Sequence, residues 1–251
     1  MKPIKKIIIN ADDCGKSIDV NQAIKNAILN RKISSTTIMA NMDDFCGAVQ
    51  LYKDFNLEIS FGWHINLTEG TPLTQSQMLL DNGFYKENDG HIVFNGKTFR
   101  RKFINYIIWQ ELKKELTAQF EKIRDNGIQI SHVDSHHHIH TIPGLWFYMP
   151  AFFNDIHIKH CRRIWNYGVS PFSHAIRQCW TIPYKIHGIR MPDTFTSFAT
   201  YHSDRKLQQG EIIELECHPG HPNVIYKKEM ELIYSTNIKS WDAQLISYKD
   251  F

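Results

Sequence analysis

Cysteine is sparse in this 251-residue chain: five residues, at positions 14, 46, 161, 179 and 217, an odd number with no CxxC pair. That suggests neither a disulfide framework nor a cysteine-built zinc knot, and it suits a reducing cytoplasm. Long apolar runs are also missing; none approaches the roughly 18 residues of a membrane-spanning helix. Near the amino terminus Ile7, Ile8 and Ile9 are too short an apolar stretch for a signal peptide, and no small-residue cleavage site follows. Charge of one sign does not dominate. The net charge of +3 is too mild to point to nucleic acid. At 42% hydrophobic and 22% charged residues, the composition is that of a folded domain rather than a disordered chain. With no repeat and no clear linker, residues 1–251 are expected to form one domain.

Histidine is the exception, with fourteen residues. Five lie in one stretch, Ser131-His132-Val133-Asp134-Ser135-His136-His137-His138-Ile139-His140. A strand sends alternate side chains to one face. As a strand, this stretch would put His132, Asp134, His136, His138 and His140 together, and imidazoles with a carboxylate are ligands for a borderline divalent metal. The alternatives are a polar surface strand or an adventitious metal-binding tract. An expression tag is excluded, because the run is internal and interrupted.

Along the chain, Lys5–Asn10 reads as a buried strand, residues 11–15 as a turn, and Ser17 as the cap of a helix running to about Arg31. Ser35–Ala40 and Glu58–Trp63 read as further strands, with a helix between them capped by Asp43 or Asp44. This β-α-β-α-β opening predicts parallel strands with crossover helices. From about 68 to 103 periodicity fails, and Gly, Asn and Pro predict an irregular excursion, a candidate lid. Trp109–Asn126 returns to helix, stopped by Gly127. Ile128–Ser135 is the next strand, Gly188–Met191 and Glu211–Cys217 are two more, and the tail from Lys227 to Ile246 reads as mostly helical. Residues 143–184 are rich in aromatics, where helices alternate with loops.

Each polar cluster follows one of these strands: Asp12 and Asp13 the first, His64 and Asn66 the third, Asp134 and His136 the tract strand, Arg190 another, and His218 the last. In parallel α/β barrels all carboxyl ends open on one face, where catalytic groups gather. Taken singly, each has a bland reading. The acid pair could cap a turn, His64 could be a satisfied structural histidine, Asn66 could cap a turn, and His218 before Pro219 could be a loop residue.

In family order, Ile9-Asn10-Ala11-Asp12-Asp13-Cys14-Gly15, Trp63-His64-Ile65-Asn66-Leu67-Thr68, His132-Val133-Asp134-Ser135-His136 and onward to His140, and Glu216-Cys217-His218-Pro219-Gly220 resemble the signature blocks of YdjC-type (ChbG-like) carbohydrate deacetylases. The closing Ile246-Ser247-Tyr248-Lys249-Asp250 resembles that family's last block. The resemblance implies a distorted TIM-like (β/α) barrel of the glycoside hydrolase/deacetylase superfamily type, and removal of an N-acetyl group from a small amino-sugar saccharide with one divalent metal, magnesium or zinc. It implies Asp13, His64 and His136 as metal ligands, Asp12 as general base and His218 as general acid. Arg190 is a looser match, orienting Asp12. One departure stands out: Cys14 occupies a place usually aromatic in the family.

Amide hydrolysis needs an activated water, a stabilised oxyanion and a proton for the amine. In this scheme Asp134 orients a histidine, and Asn66 and His138 are candidates for supporting the ligands or lining the cleft. Two further readings remain open. His132, His138 and His140 could supply the extra ligands of a metal phosphoesterase (a fold-level analogy). A metal- or saccharide-binding protein without turnover would leave the acid pair surplus. Residues 143–190 hold six Lys or Arg and one acid, Asp155. That stretch is a mildly basic helix layer or a surface for an anionic lipid or lipid-linked sugar. The sequence leaves oligomeric state open, a homodimer among the options.

Overall fold

The computed structural model describes residues 5–204 and 211–251. β1 (Lys5–Cys14), α1 (Ile18–Leu29), β2 (Ser35–Ile38), α2 (Phe45–Phe55) and β3 (Ser60–Ile65) follow one another as expected. Ser17 caps α1 by accepting from the Val20 N–H at 3.3 Å. Asp44 stands at the start of α2 but makes no capping bond; it accepts instead from Asn21 Nδ2 at 2.8 Å. The excursion contains α3 (Gln77–Asp81), the antiparallel hairpin of β4 (Tyr85–Asn88) and β5 (His91–Phe94), and α4 (Gly96–Phe99). Next come α5 (Tyr106–Asp125), β6 (Val133–Ser135), and four short helices, α6 (Pro143–Trp146), α7 (Met149–Asp155), α8 (Pro171–Cys179) and α9 (Ile182–Ile186). β7 (Thr194–Ser197), α10 (Phe198–Ser203), β8 (Ile212–Cys217), α11 (Val224–Ser235) and β9 (Ala243–Leu245) complete the order.

The strands of the main sheet are all parallel, in the order β6-β3-β2-β1-β8-β7, with β9 beside the start of β1. Single bridges Val133↔Cys161 and His160↔Arg190 carry the curl past β6. The result is the distorted α/β barrel that the sequence predicts. The tail departs from expectation. Its helix ends at Ser235 and the chain then adds β9, because Ala243, Gln244 and Leu245 satisfy the backbone of Lys5, Lys6 and Ile7.

Side-chain alternation sorts the barrel. Ile7, Ile9 and Ala11 join the main hydrophobic cluster with Ile24 and Ala27 of α1. Ile8 instead packs with Ile246 and Tyr248, and Asn10 and Asp12 follow it on the inward face. An ordinary parallel barrel fills its interior with branched apolar residues. Here the interior is polar, with Ser35, Thr37, His64, His132, Asp134, Arg162 and Glu214 all buried. Gly62 is required by this packing, since a Cβ there would lie 2.5 Å from the His132 ring.

The predicted turn at 11–15 is still strand. β1 continues to Cys14, with a break in register against β2 between Ala11 and Cys14. Asp13 sits in the left-handed region, at φ 68°, which is uncommon for a non-glycine residue. Strict alternation would send Asp12 and Asp13 to opposite faces; the bulge turns both toward the open end of the barrel. Cys14 is fully buried in the core, its thiol donating to Asn21 Oδ1 at 3.5 Å.

Candidate active site and metal centre

Asp13, His64 and His136 converge at the carboxyl ends of β1, β3 and β6, with ligand atoms within 4.8 Å of one another. Asp13 Oδ1 is 3.2 Å from His64 Nε2 and 2.9 Å from His136 Nδ1. Yet this buried oxygen has no aligned hydrogen-bond donor. The other nitrogen of each imidazole is engaged. His64 Nδ1 meets Asp134 Oδ1 at 2.7 Å, and His136 Nε2 meets Glu69 Oε2 at 2.8 Å. A carboxylate on the far nitrogen fixes the tautomer and aims the remaining lone pair. Two imidazole lone pairs and an orphaned carboxylate oxygen thus share one point, the donor set of a mononuclear divalent-metal site.

The electrostatics agree. Burial disfavours charge on His64, but Asp134, Asp13 and Asp12 outweigh it and lift its pKa to about 10. Burial likewise opposes charge on Asp13, and His136 and His64 reverse that, holding it well below the usual carboxylate range. Without a cation the cluster therefore carries protons that a metal must displace. Metal affinity is expected to rise about tenfold per pH unit for each displaced proton between pH 6 and 8. Calorimetry in buffers of different ionisation enthalpy measures that release; an affinity independent of pH would contradict this donor set.

Asp12 serves a different partner. Arg162, fully buried, holds it with two parallel bonds of 2.6 Å, from Nη1 to Oδ2 and from Nη2 to Oδ1. Burial alone would raise the Asp12 pKa, but the Arg162 guanidinium holds the carboxyl well below the carboxylate range. The same guanidinium meets Asp134 at 2.9 Å, Glu214 at 2.7 Å and Glu216 at 3.4 Å. Burial lifts Glu214 to about 7 and also pushes Glu216 up, with Arg162 opposing in both cases. Tyr248, from the closing block, donates to Glu214 Oε2 at 2.6 Å.

The expectation that Arg190 orients Asp12 is therefore corrected. Arg190 is exposed and its guanidinium lies 4.9 Å above the Phe251 ring. Arg162 does the work, from a segment that pairs with β6 only through a single bridge. The signal was present in Ile158-Lys159-His160-Cys161-Arg162-Arg163-Ile164, where His160 and Arg162 share one parity. Glu214 and Glu216 were legible in the same way, alternating with Ile213, Leu215 and Cys217 on β8.

His218 follows β8, with Nε2 3.9 Å from Asp12 Oδ2 and Nδ1 3.8 Å from Glu229 Oε2 of α11. Its ring packs on Tyr226 at 4.4 Å. Burial would lower its pKa, but Glu229, Asp12 and Glu216 raise it to about 9. These carboxylates thus favour the protonated form of His218 at neutral pH.

The histidine tract is strand only to Ser135. Residues 136–141 coil tightly, with His137 and His138 at φ 53° and 52°. His132 does face inward, one level lower, stacked on Tyr248 with ring centroids 3.7 Å apart. His140 is buried, with Nδ1 2.5 Å from Ser135 Oγ. His138 stands at the cleft, its Nε2 3.6 Å from Glu216; burial and Arg162 push its pKa down to about 3. None of the three joins the Asp13 cluster. Asn66 takes the bland reading: its side-chain oxygen accepts from the Thr68 and Glu69 N–H groups, each at 3.1 Å. That turn presents Glu69, which Lys16 also grips at 2.8 Å and which His136, ahead of the opposing effect of burial, holds down at about 2. Arg100, from the excursion, donates to the His137 carbonyl, so the predicted lid segment reaches the rim of the site.

A parallel α/β barrel carries at its open end a two-histidine, one-aspartate cluster with the spacing of metal ligands, beside a separate carboxylate–histidine pair. Residues 6–244 match the family described as YdjC-like protein, and the chain belongs to that family. Carbohydrate deacetylase 1 of Listeria innocua is 26% identical over 98% of this chain and 99% of its own length. The carbohydrate deacetylase of Clostridium beijerinckii is 27% identical with the same coverage. A crystal structure from Enterococcus faecalis, described as a cellobiose-phosphate cleavage protein, superposes with a TM-score of 0.77 at 21% identity, covering 98% of each chain; it bears on the fold.

Proposed function

We propose that the protein is a metal-dependent hydrolase that removes the N-acetyl group from a small, chitooligosaccharide-like amino-sugar saccharide, with residues 1–251 acting as one deacetylase domain. The observation that carries this reading is the paired arrangement of lone pairs: His64 and His136 are each braced by a carboxylate and aimed at Asp13 Oδ1. Membership of the YdjC-like family and the names of its relatives support it. Asp13, His64 and His136 would hold one divalent cation. Two imidazoles beside one carboxylate suit zinc better than magnesium, which prefers oxygen donors. The chemistry supplied by such a cation is polarisation of the acetyl carbonyl and acidification of water.

The remaining steps belong to the chain. Asp12, kept ionised by Arg162, accepts the proton of the attacking water. Asp134 keeps His64 in its tautomer through the 2.7 Å contact. His218 enters protonated and gives its proton to the departing amine, while Glu229 and Tyr226 orient its ring. His138, beside Glu216, lines the cleft and is a candidate for gripping a sugar hydroxyl. Since the acid form of His218 is the working one, kcat/KM should fall as pH rises through about 9. His218→Gln should remove that limb and lower the rate about a hundredfold or more. A pH–rate profile with the limb unchanged in the variant would exclude His218 as the acid.

The phosphoesterase alternative loses support, because His132 and His140 are engaged elsewhere. A second cluster, Asp12, Glu216 and His218, has ligand spacing, but Arg162 already supplies its positive charge. Among the described residues no helix is long and apolar enough to cross a membrane. A cytoplasmic setting is part of the proposal and rests on the five free cysteines. Acetate release from N,N'-diacetylchitobiose tests the reading. Metal-loaded protein should release acetate and chelated protein should not; equal release from both would overturn the metal dependence. A lipid-linked amino sugar is the next substrate to try if loaded protein releases none.

A further inference from the structure

The basic, aromatic stretch at 143–190 is only partly used by the active site, which takes Arg162 alone among its six cations. Three of the others, Arg163, Lys185 and Arg190, line a single cavity of about 320 Å³ beside α9. This cavity is separate from the catalytic centre. Arg162 points into the barrel, and the next residue of an extended segment points the other way.

Arg163 is the unusual member. It is 94% buried, at 6% relative exposure. Its Nη1 donates to the Pro192 carbonyl at 3.3 Å and its Nη2 to Gln178 Oε1 at 2.5 Å, both neutral acceptors. Its Nε has no partner. Among the described residues no carboxylate forms an ion pair with Arg163, Lys185 or Arg190. The one acidic side chain in the lining is Asp193; its Oδ2 accepts from the Ile212 N–H at 3.0 Å, and its charge acts on Arg163 through space without a direct ion pair. One carboxylate against three cations leaves the lining net positive, and a buried charge so weakly compensated is expensive; burial outweighs Asp193 and pulls the Arg163 pKa down. Arg190, stacked over Phe251, is oriented without being neutralised. The volume would hold roughly ten waters, enough for a small oxyanion.

We propose that this cavity is a binding site for a phosphate group, taken by Arg163, Lys185 and Arg190 away from the catalytic centre. Guanidinium groups match the paired oxygens of a phosphate, and the lysine adds a point charge. Free phosphate, a phosphorylated sugar and an anionic lipid headgroup share this chemistry. The site does not depend on the deacetylase reading.

Lys185 and Arg190 are exposed, so Lys185→Ala/Arg190→Ala should fold normally, and circular dichroism checks that it does. Calorimetry of the intact chain with inorganic phosphate, at constant ionic strength, should give saturable binding that weakens about tenfold or more in the double variant. Acetate release should be the same in both proteins. Co-sedimentation with phosphatidylglycerol vesicles, lost in the double variant, would identify a lipid source. Phosphate binding without co-sedimentation would identify a soluble one. No binding at millimolar phosphate, or binding equal in the two proteins, would overturn the site.

Discussion

Asp13→Ala is expected to lose bound metal and acetate release together. Its Oδ1 is the atom on which both imidazole lone pairs converge. Removing it leaves two histidines and open space, too few ligands to hold a divalent cation firmly. Metal content by elemental analysis should fall from one per chain to a trace, and hydrolysis should fall with it by several orders of magnitude, since carbonyl polarisation is worth several kcal/mol. The fold should survive, because Asp12 and its bonds to Arg162 stay in place. Full metal occupancy in the variant would move the centre elsewhere.

Arg162→Met should damage the fold itself. One buried guanidinium meets Asp12, Asp134, Glu214 and Glu216. Removing the cation leaves these carboxylates facing one another without compensation, which costs about 3–5 kcal/mol when a buried pair loses one member. For a chain of this size that is roughly 6–20 °C in Tm. The sign of its pH dependence follows from the raised glutamates. Glu214 has a folded pKa of about 7, above its unfolded value, and Glu216 is shifted the same way. Such groups bind more protons when folded, so stability falls as pH rises through that range. The defect in the variant should accordingly be smaller at pH 6 than at pH 8. Thermal unfolding at the two pH values measures it; a Tm within about 2 °C of the parent at pH 8 would mean that Arg162 is not the keystone of the interior.

Much of this site is legible in the sequence because strands impose parity. His132, Asp134 and His136 share a face, as do Asn10 and Asp12, and as do Glu214, Glu216 and His218. Parity fails where the backbone leaves the strand. It does so at Asp13, where a left-handed residue brings two neighbours to one face, and after His136, where two left-handed histidines coil the chain. Those departures explain why the adjacent acids meet, and why His138 and His140 do not join the Asp13, His64 and His136 cluster. Arg162 is not legible in this way because its segment makes one bridge rather than a ladder, and a ladder is what hydrophobic alternation reports. Nor is Glu69, because it depends on a turn closed by Asn66, a tertiary contact with no periodic trace.

In the proposed mechanism the two adjacent acids have separate tasks, and a single variant separates them. Asp12→Asn keeps the side-chain volume and the metal ligands but removes the proton acceptor. Metal content and acetate release should be measured on the same preparation. The expected result is one metal per chain and a rate lower by about two to four orders of magnitude. Turnover near that of the parent with metal bound would contradict it, because another group would then be taking the proton.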